Sequence, residues 1–114
     1  MKYLISTLLL IFSGTFCYGA VLDGKTLAEA AIHYDKMSEN PDATPNFYAG
    51  LFLGYVGGLA DELFPNSGIP KDVSIKQINK IFSKFLKNNP EKWHRSGNVL
   101  FRMSIKEAFP EVKL

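Results

Sequence analysis

Few residues of this chain could carry chemistry, and they lie far apart in the sequence. The two histidines, His33 and His94, fall on different predicted helices, and the single cysteine, Cys17, lies near the N-terminus. A zinc site usually needs three or four ligands, so two lone histidines do not indicate one. The sequence predicts no metal site and no cofactor, and the histidines are interpreted as residues at helix surfaces or boundaries.

A catalytic centre is not predicted either. The sequence contains no Gly-x-Ser-x-Gly motif that would place a serine nucleophile beside a base. Asp61 and Glu62 are adjacent carboxylates, but neighbours on a helix point about 100° apart, so we interpret them as polar residues at the end of a helix. The glycines are spaced for helix packing and not for a phosphate-binding loop. We therefore predict that the chain is not an enzyme and that it acts by binding another molecule.

Residues 1–19 have the composition of a secretory signal peptide. Lys2 supplies a positive charge, and an apolar run from Leu4 to Phe12 follows it. Cys17 and Gly19 provide the small residues that precede a cleavage site. The sequence therefore predicts cleavage after Gly19.

Cleavage after Ala20 is the alternative. The apolar run is shorter than the roughly 20 residues that span a bilayer, so we expect no membrane anchor after cleavage. The expected product is a periplasmic domain of residues 20–114. Because cleavage removes Cys17, this domain cannot form an internal disulfide and depends on hydrophobic packing.

The charges are unevenly distributed along the chain. Residues 21–70 contain two basic and seven acidic side chains, whereas residues 71–114 contain ten basic and four acidic ones. This asymmetry could steer a charged partner, or the two halves could attract each other, and the sequence leaves both readings open. Four lysines at helical spacing are interpreted as a solvated helix face, because nucleic-acid binding would need more charge and interleaved aromatics. They are Lys76, Lys80, Lys84 and Lys87.

Capping signals and apolar periodicity predict an all-α fold, a compact four-helix domain after the signal peptide. A capping box beginning at Thr26 opens the first helix, which we expect to end near Ser38. Thr44 and Pro45 then supply a cap and a first helical residue for a helix that ends near Phe64.

A second capping box, Ser74 with Gln77, opens the third helix. Asn89 and Pro90 open the fourth, which we expect to continue to Phe109. The apolar residues of the third helix are expected to face inward; they are Ile75, Ile78, Phe82, Phe85 and Leu86.

Glycines stand at a spacing of four along the second helix. Residues 47–60 are apolar nearly all round, which indicates a helix buried among the others. Gly50, Gly54 and Gly58 clear one stripe of side chains, so another helix is expected to approach closely there. Gly97 in the fourth helix is expected to allow a similar close approach.

Four segments, in this order, resemble the Rap/Tai family of small exported proteins: Gly54–Asp61, Ile69–Ser74, Lys84–Glu91 and Lys106–Pro110. The resemblance covers most of residues 20–114. That family includes immunity proteins of type VI secretion systems, which protect the periplasm from peptidoglycan-cleaving amidase effectors. It therefore implies a cognate effector protein, a peptidoglycan amidase, as the partner.

Related sequences often carry cysteines at three places where this chain has none. The corresponding positions here lie near Ala30, Phe52 and Gly68. The disulfides implied by the resemblance are therefore missing. We expect Phe52 to replace the lost crosslink by packing.

The leading hypothesis is a periplasmic immunity protein that binds and inhibits such an amidase. The alternative is a periplasmic stress chaperone or structural helper that exposes apolar surface in acid. No nucleic-acid partner is predicted, and a homodimer is left open. The predicted partner-binding residues lie in a turn-rich loop, where variable contacts are best accommodated; they are Phe64, Asn66, Ser67, Ile69, Lys71 and Asp72.

Overall fold

The computed structural model describes residues 22–114. The predicted signal peptide, with Cys17 and both predicted cleavage positions, lies outside the described residues. Within them the chain forms four α-helices, named α1 (Gly24–Glu39), α2 (Phe47–Leu63), α3 (Ile75–Asn88) and α4 (Gly97–Ala108), and one short 3₁₀ turn, Pro90–Lys92.

The predicted all-α class with four helices is confirmed over this range. Residues 22–114 contain no strand, and their only β-type pairing is an isolated bridge between Asp23 and Ser96. None of the helices in this part of the chain is long and apolar enough to cross a membrane.

The predicted starts of the first two helices are wrong by two or three residues. In α1 the cap is Asp23, whose Oδ1 accepts a hydrogen bond from Thr26 N at 2.9 Å, so Thr26 lies inside the helix. In α2 the cap is Asn46, whose Oδ1 accepts from Ala49 N at 2.9 Å. Asn46 also contacts His33 Nδ1 at 3.3 Å, so a tertiary contact fixes this cap. Aspartate and asparagine are stronger helix caps than threonine. Each lies within three residues of the threonine that the sequence analysis had named as the cap.

The start of α3 is confirmed, whereas that of the fourth helix is wrong. Ser74 and Gln77 form the predicted capping box through bonds of 3.2 and 2.7 Å. After the 3₁₀ turn the chain leaves the helical path, and Ser96 caps α4 instead of Asn89. The indole of Trp93 donates to Leu86 O at 2.7 Å, which holds the turn against the end of α3.

Four aromatic rings, one from each helix, form the centre of the core. Tyr34 stacks on Phe52 at 5.2 Å, Phe52 stacks on Phe82 at 5.8 Å, and Phe82 meets Phe101 edge-on at 5.3 Å. Phe52, Phe82 and Phe101 are completely buried. Phe52 therefore links α1, α2 and α3 by ring packing.

The starts of α1 and α4 meet where two glycines replace side chains. Gly24 N donates to Arg95 O at 3.0 Å, and Gly97 N donates to Leu22 O at 2.9 Å. A Cβ on Gly24 would lie 2.7 Å from Trp93 Cα, and one on Gly97 would lie 2.3 Å from a methyl of Leu27. The predicted close approach at Gly97 is confirmed.

The corresponding prediction for α2 is wrong over the described residues. Apart from the nearby backbone of α2 itself and the adjacent residues, no atom lies within 4 Å of a Cβ built on Gly50, Gly54 or Gly58, and Phe47 at the start of the same face is 76% exposed. The other helices pack on the opposite face of α2, which carries Ala49, Phe52, Val56 and Ala60. α2 is therefore half-open and not buried all round.

Acidic and basic halves of the chain meet at Asp35 of α1. Its carboxylate, 6% exposed as a residue, accepts from Ser83 Oγ at 2.7 Å and from Lys87 Nζ, and Lys80 Nζ lies 3.6 Å away. Burial would raise the pKa of Asp35, but the hydrogen bonds from Lys87 and Ser83 and the two lysine charges outweigh it and hold the pKa below 3.8. The four lysines at helical spacing on α3 are thus not only a solvated face, since Lys80 and Lys87 contact Asp35 of α1.

Candidate partner-binding surface

The loop between α2 and α3 contains the residues predicted to contact a partner. Two of its backbone positions are left-handed, Asn66 at φ 64° and Gly68 at φ 85°. Asparagine and glycine are the residues that adopt this conformation most readily, so the turn-forming residues of the loop occupy the positions that favour them.

Ser67, between these two positions, fastens the loop from inside. It is 2% exposed, its Oγ donates to Phe64 O at 2.8 Å, and the same Oγ accepts from Ile69 N at 3.3 Å. Its carbonyl accepts from Lys113 N at 2.8 Å, and Val112 beside it is buried. The C-terminal tail therefore holds the loop, and Ser67 positions the loop instead of facing solvent.

The other predicted residues divide into two groups. Phe64 and Ile69 are half-buried against the core, and the Phe64 ring stacks on Phe101 at 5.9 Å. Asn66, Lys71 and Asp72 are exposed. The structure thus places three polar side chains at the loop surface, above two apolar ones that anchor it.

An open groove of about 470 Å³ runs beside the loop, between the end of α2 and the start of α3. Its lining is mostly apolar and consists of Ala60, Asp61, Phe64, Pro65, Val73, Ile75 and Ile78. Ile75 is 50% exposed at the rim, so the prediction that it faces inward is wrong. As the first helical residue after the Ser74 cap, it precedes the first turn that packs on the core.

The sequence analysis did not identify Ile75 as an exposed residue of the candidate surface. It also missed an aromatic cluster at the start of α2. His33 stacks on Tyr48 with ring centres 5.0 Å apart, and Phe47 meets Tyr48 edge-on at 5.6 Å. The signal was present in the spacing, because Phe47 shares one helix face with Gly54 and the charged Asp61, which marks the solvent side.

The two histidines do not form a metal site with other residues. In the part of the chain that the structure describes, no group of three or more His, Cys, Asp or Glu side chains could hold a metal ion. His33 is used in the stack on Tyr48, and His94 is exposed in the turn before α4.

Comparison with known proteins identifies the family. A family model described as Rap1a immunity proteins matches residues 23–110, which include all four helices and the loop described above. Neither the curated proteins nor the solved structures gave a match. Because the matched range is most of the chain, the chain belongs to the Rap1a immunity protein family.

Proposed function

We propose that this protein is a periplasmic immunity protein that binds and inhibits a peptidoglycan amidase effector of a type VI secretion system. The family match over residues 23–110 is the observation that carries the proposal, since it supports an immunity role. The amidase, the secretion system and the periplasmic location come from the sequence resemblance and the predicted signal peptide.

The loop and its neighbouring groove are the proposed contact surface. Protein interfaces combine an apolar centre with a polar rim. Here Phe64, Ile69 and Ile75 supply apolar surface, and exposed polar side chains flank it. The flanking residues are Asn66, Lys71 and Asp72.

A loop that is ordered before binding suits inhibition by occlusion of the amidase cleft. Ordering a mobile loop on binding costs about 0.5–1.5 kcal/mol per immobilised side chain, and the bonds at Ser67 order this one in advance. The loop would cover the amidase cleft and exclude the substrate by contact alone. This mechanism forms no covalent bond to the enzyme.

The direct test pairs the protein with the product of the adjacent reading frame and assays that product for peptidoglycan amidase activity. We expect co-purification and stoichiometric loss of peptidoglycan cleavage. Ile75→Asp should weaken binding at least tenfold, about 1.4 kcal/mol, because it puts a charge into the apolar part of the contact. Ile32→Asp is the matched control, since Ile32 is similarly exposed, at 46%, but lies on α1; its affinity should be unchanged.

Two results would reject the proposal. One is an amidase that remains fully active in the presence of excess protein. The other is a chain that stays in the cytosol with residues 1–19 intact. Protection of unrelated client proteins from aggregation at low pH, without amidase inhibition, would instead support the chaperone alternative.

A further inference from the structure

The groove between the end of α2 and the start of α3 has one charged side chain in its lining, the carboxylate of Asp61. Asp61 is exposed, and both ion pairs among residues 22–114 are made by Asp35, so no lysine or arginine in this range pairs with Asp61. The last turn of α2 contains no basic residue, and Glu62 adds a second negative charge there. The groove therefore combines an apolar floor with an electronegative end at α2.

The backbone at this end of α2 adds hydrogen-bond acceptors to the carboxylate. In a continuing helix the Asp61 carbonyl would accept from the N–H four residues later, but that residue is Pro65, which has none. The Leu63 carbonyl lacks its helical donor too, because Ser67 N donates to Phe64 O at 3.0 Å instead. The carbonyl end of a helix also carries partial negative charge. A group that binds at this end of the groove is therefore expected to bring hydrogen-bond donors.

The α3 side of the groove is apolar, and the start of its helix is already capped. Ser74 N donates to Gln77 Oε1 at 2.7 Å, and Gln77 N donates to Ser74 Oγ at 3.2 Å. The residues that this side contributes to the lining are Val73, Ile75 and Ile78. The acceptors of the groove thus lie at its α2 side, opposite an apolar wall.

We propose that this groove binds an arginine side chain of the partner protein, with the guanidinium group at Asp61 and the methylene stem against the apolar wall. A guanidinium has five N–H donors in a planar fork, so it can bond both carboxylate oxygens and still donate to the carbonyls that end α2. Its plane also packs on aromatic rings, and Phe64 is in the lining. Lysine carries the same charge but lacks the planar fork, so the geometry favours arginine.

This inference rests on the proposed function, because it takes the same groove as the contact surface and names the effector group that enters it. Ile75 and Val73 would pack against the stem, while Asp61 holds the charged head. The two proposals can still fail separately, since the arginine site can be measured with a peptide and with the product of the adjacent reading frame.

The first test uses a short peptide with one arginine, acetylated and amidated at its ends. Amide resonances of the isotope-labelled protein, purified after expression of the full chain, are followed as the peptide is added to millimolar concentration. We expect shifts at Asp61, Phe64 and Ile75 that are several times larger than those from matched peptides with lysine or the neutral citrulline. Asp61→Asn should abolish this difference.

The matched control is Glu62→Gln, which removes a neighbouring carboxylate that does not line the groove and points about 100° away on the helix. It should keep the response to arginine. Both side chains are exposed, so circular dichroism should show that both variants remain helical.

The second test measures affinity for the product of the adjacent reading frame. Asp61→Asn should weaken binding at least tenfold, about 1.4 kcal/mol, whereas Glu62→Gln should leave it unchanged. One arginine-to-methionine change in that product should cost a similar amount. The two losses should not add when the variants are combined, because both remove the same contact.

Equal shifts from the arginine, lysine and citrulline peptides would overturn the inference. Equal losses of affinity from Asp61→Asn and Glu62→Gln would also overturn it, because net charge alone would then explain binding. An effector that wild type and Asp61→Asn bind and inhibit equally would overturn the inference and leave the proposed function standing. Arginine-specific shifts that depend on Asp61, with a product that is no amidase, would support the arginine site and reject the proposed function.

Discussion

Asp35 lies where α1 meets α3. Its carboxylate is almost fully buried, whereas the lysines that contact it, Lys80 and Lys87, are about half exposed. Replacing it by asparagine keeps the shape but removes the charge that Lys87 and Lys80 pair with. We expect Asp35→Asn to lower the free energy of unfolding by about 1.5–3 kcal/mol, the usual value of hydrogen bonds to a charged group. The loss is limited because both lysine side chains are about half exposed and can return to water. Urea unfolding at neutral pH measures it, with the exposed Glu29→Gln on the same helix as control.

The same carboxylate makes a pH-dependent contribution whose sign follows from its lowered pKa. A folded-state pKa below 3.8 means that ionised Asp35 stabilises the native state at every pH above that value. The contribution is lost as the pH falls from 3.8 through the folded pKa. The difference in unfolding free energy between wild type and Asp35→Asn should therefore be constant from pH 5 to 8 and shrink below pH 4. A difference that grows on acidification would contradict the assignment.

Two glycines on different helices should respond to the same substitution with opposite signs. A Cβ on Gly24 would come within 2.7 Å of Trp93 Cα and 2.5 Å of a Leu100 methyl, and backbone cannot move aside cheaply. Gly24→Ala should lower stability by about 1–3 kcal/mol, as overpacking does. Gly50→Ala meets open space and should raise helix stability by about 0.5–1 kcal/mol. Thermal unfolding compares the two variants, and a Gly24→Ala protein as stable as the wild type would show that the junction of α1 and α4 is looser than described.

At the scale of the helices, the corrected caps lead to a test of local structure. Asn46→Ala should destabilise the protein by about 1 kcal/mol, because it leaves Ala49 N without its acceptor and removes the contact to His33. Thr44→Ala should change stability by less than about 0.5 kcal/mol, because Thr44 is exposed and lies before the helix. Denaturant midpoints of the two variants decide between the caps. The reverse order would restore the helix start predicted from sequence.

Local signals were enough to predict the number of helices and one of their caps. The Ser74 capping box depends on residues three apart, so its bonds are contained in the sequence segment itself. The start of α4 was not predictable in this way, because Asn89 and Ser96 are both acceptable caps. Bonds between distant segments decide for Ser96, namely those that join Gly24 to Arg95 and Gly97 to Leu22.

The same limit applies to the exposed face of α2 and to the candidate site. Turn-forming residues predicted the loop, but the burial of Ser67 depends on Lys113 at the other end of the chain. The spacing of Gly50, Gly54 and Gly58 predicted a close helix approach that the described residues do not make. Within one chain the core side of α2 is satisfied by its neighbours, and the glycine side is left open.

At the scale of the whole molecule, the opposite charges of the two halves of the sequence are used inside the fold. Asp35 of the acidic half pairs with Lys80 and Lys87 of the basic half. Of the two readings of the charge asymmetry that the sequence left open, attraction between the halves is therefore present in the fold. The remaining lysines of the stripe, Lys76 and Lys84, are exposed and available for other contacts.

The C-terminal tail connects the end of the chain to the proposed binding loop through one backbone bond, from Lys113 N to Ser67 O. Lys113→Pro removes this donor, while Lys113→Ala keeps it and serves as the matched control. We expect Lys113→Pro to lower global stability by only about 1 kcal/mol, the value of one hydrogen bond. Hydrogen exchange of the Ser67 and Ile69 amides should become at least tenfold faster, because local opening then needs less free energy. Effector affinity should fall together with this protection, since the loop must be ordered on binding. Unchanged exchange at both amides would mean that the Ser67 side chain alone orders the loop.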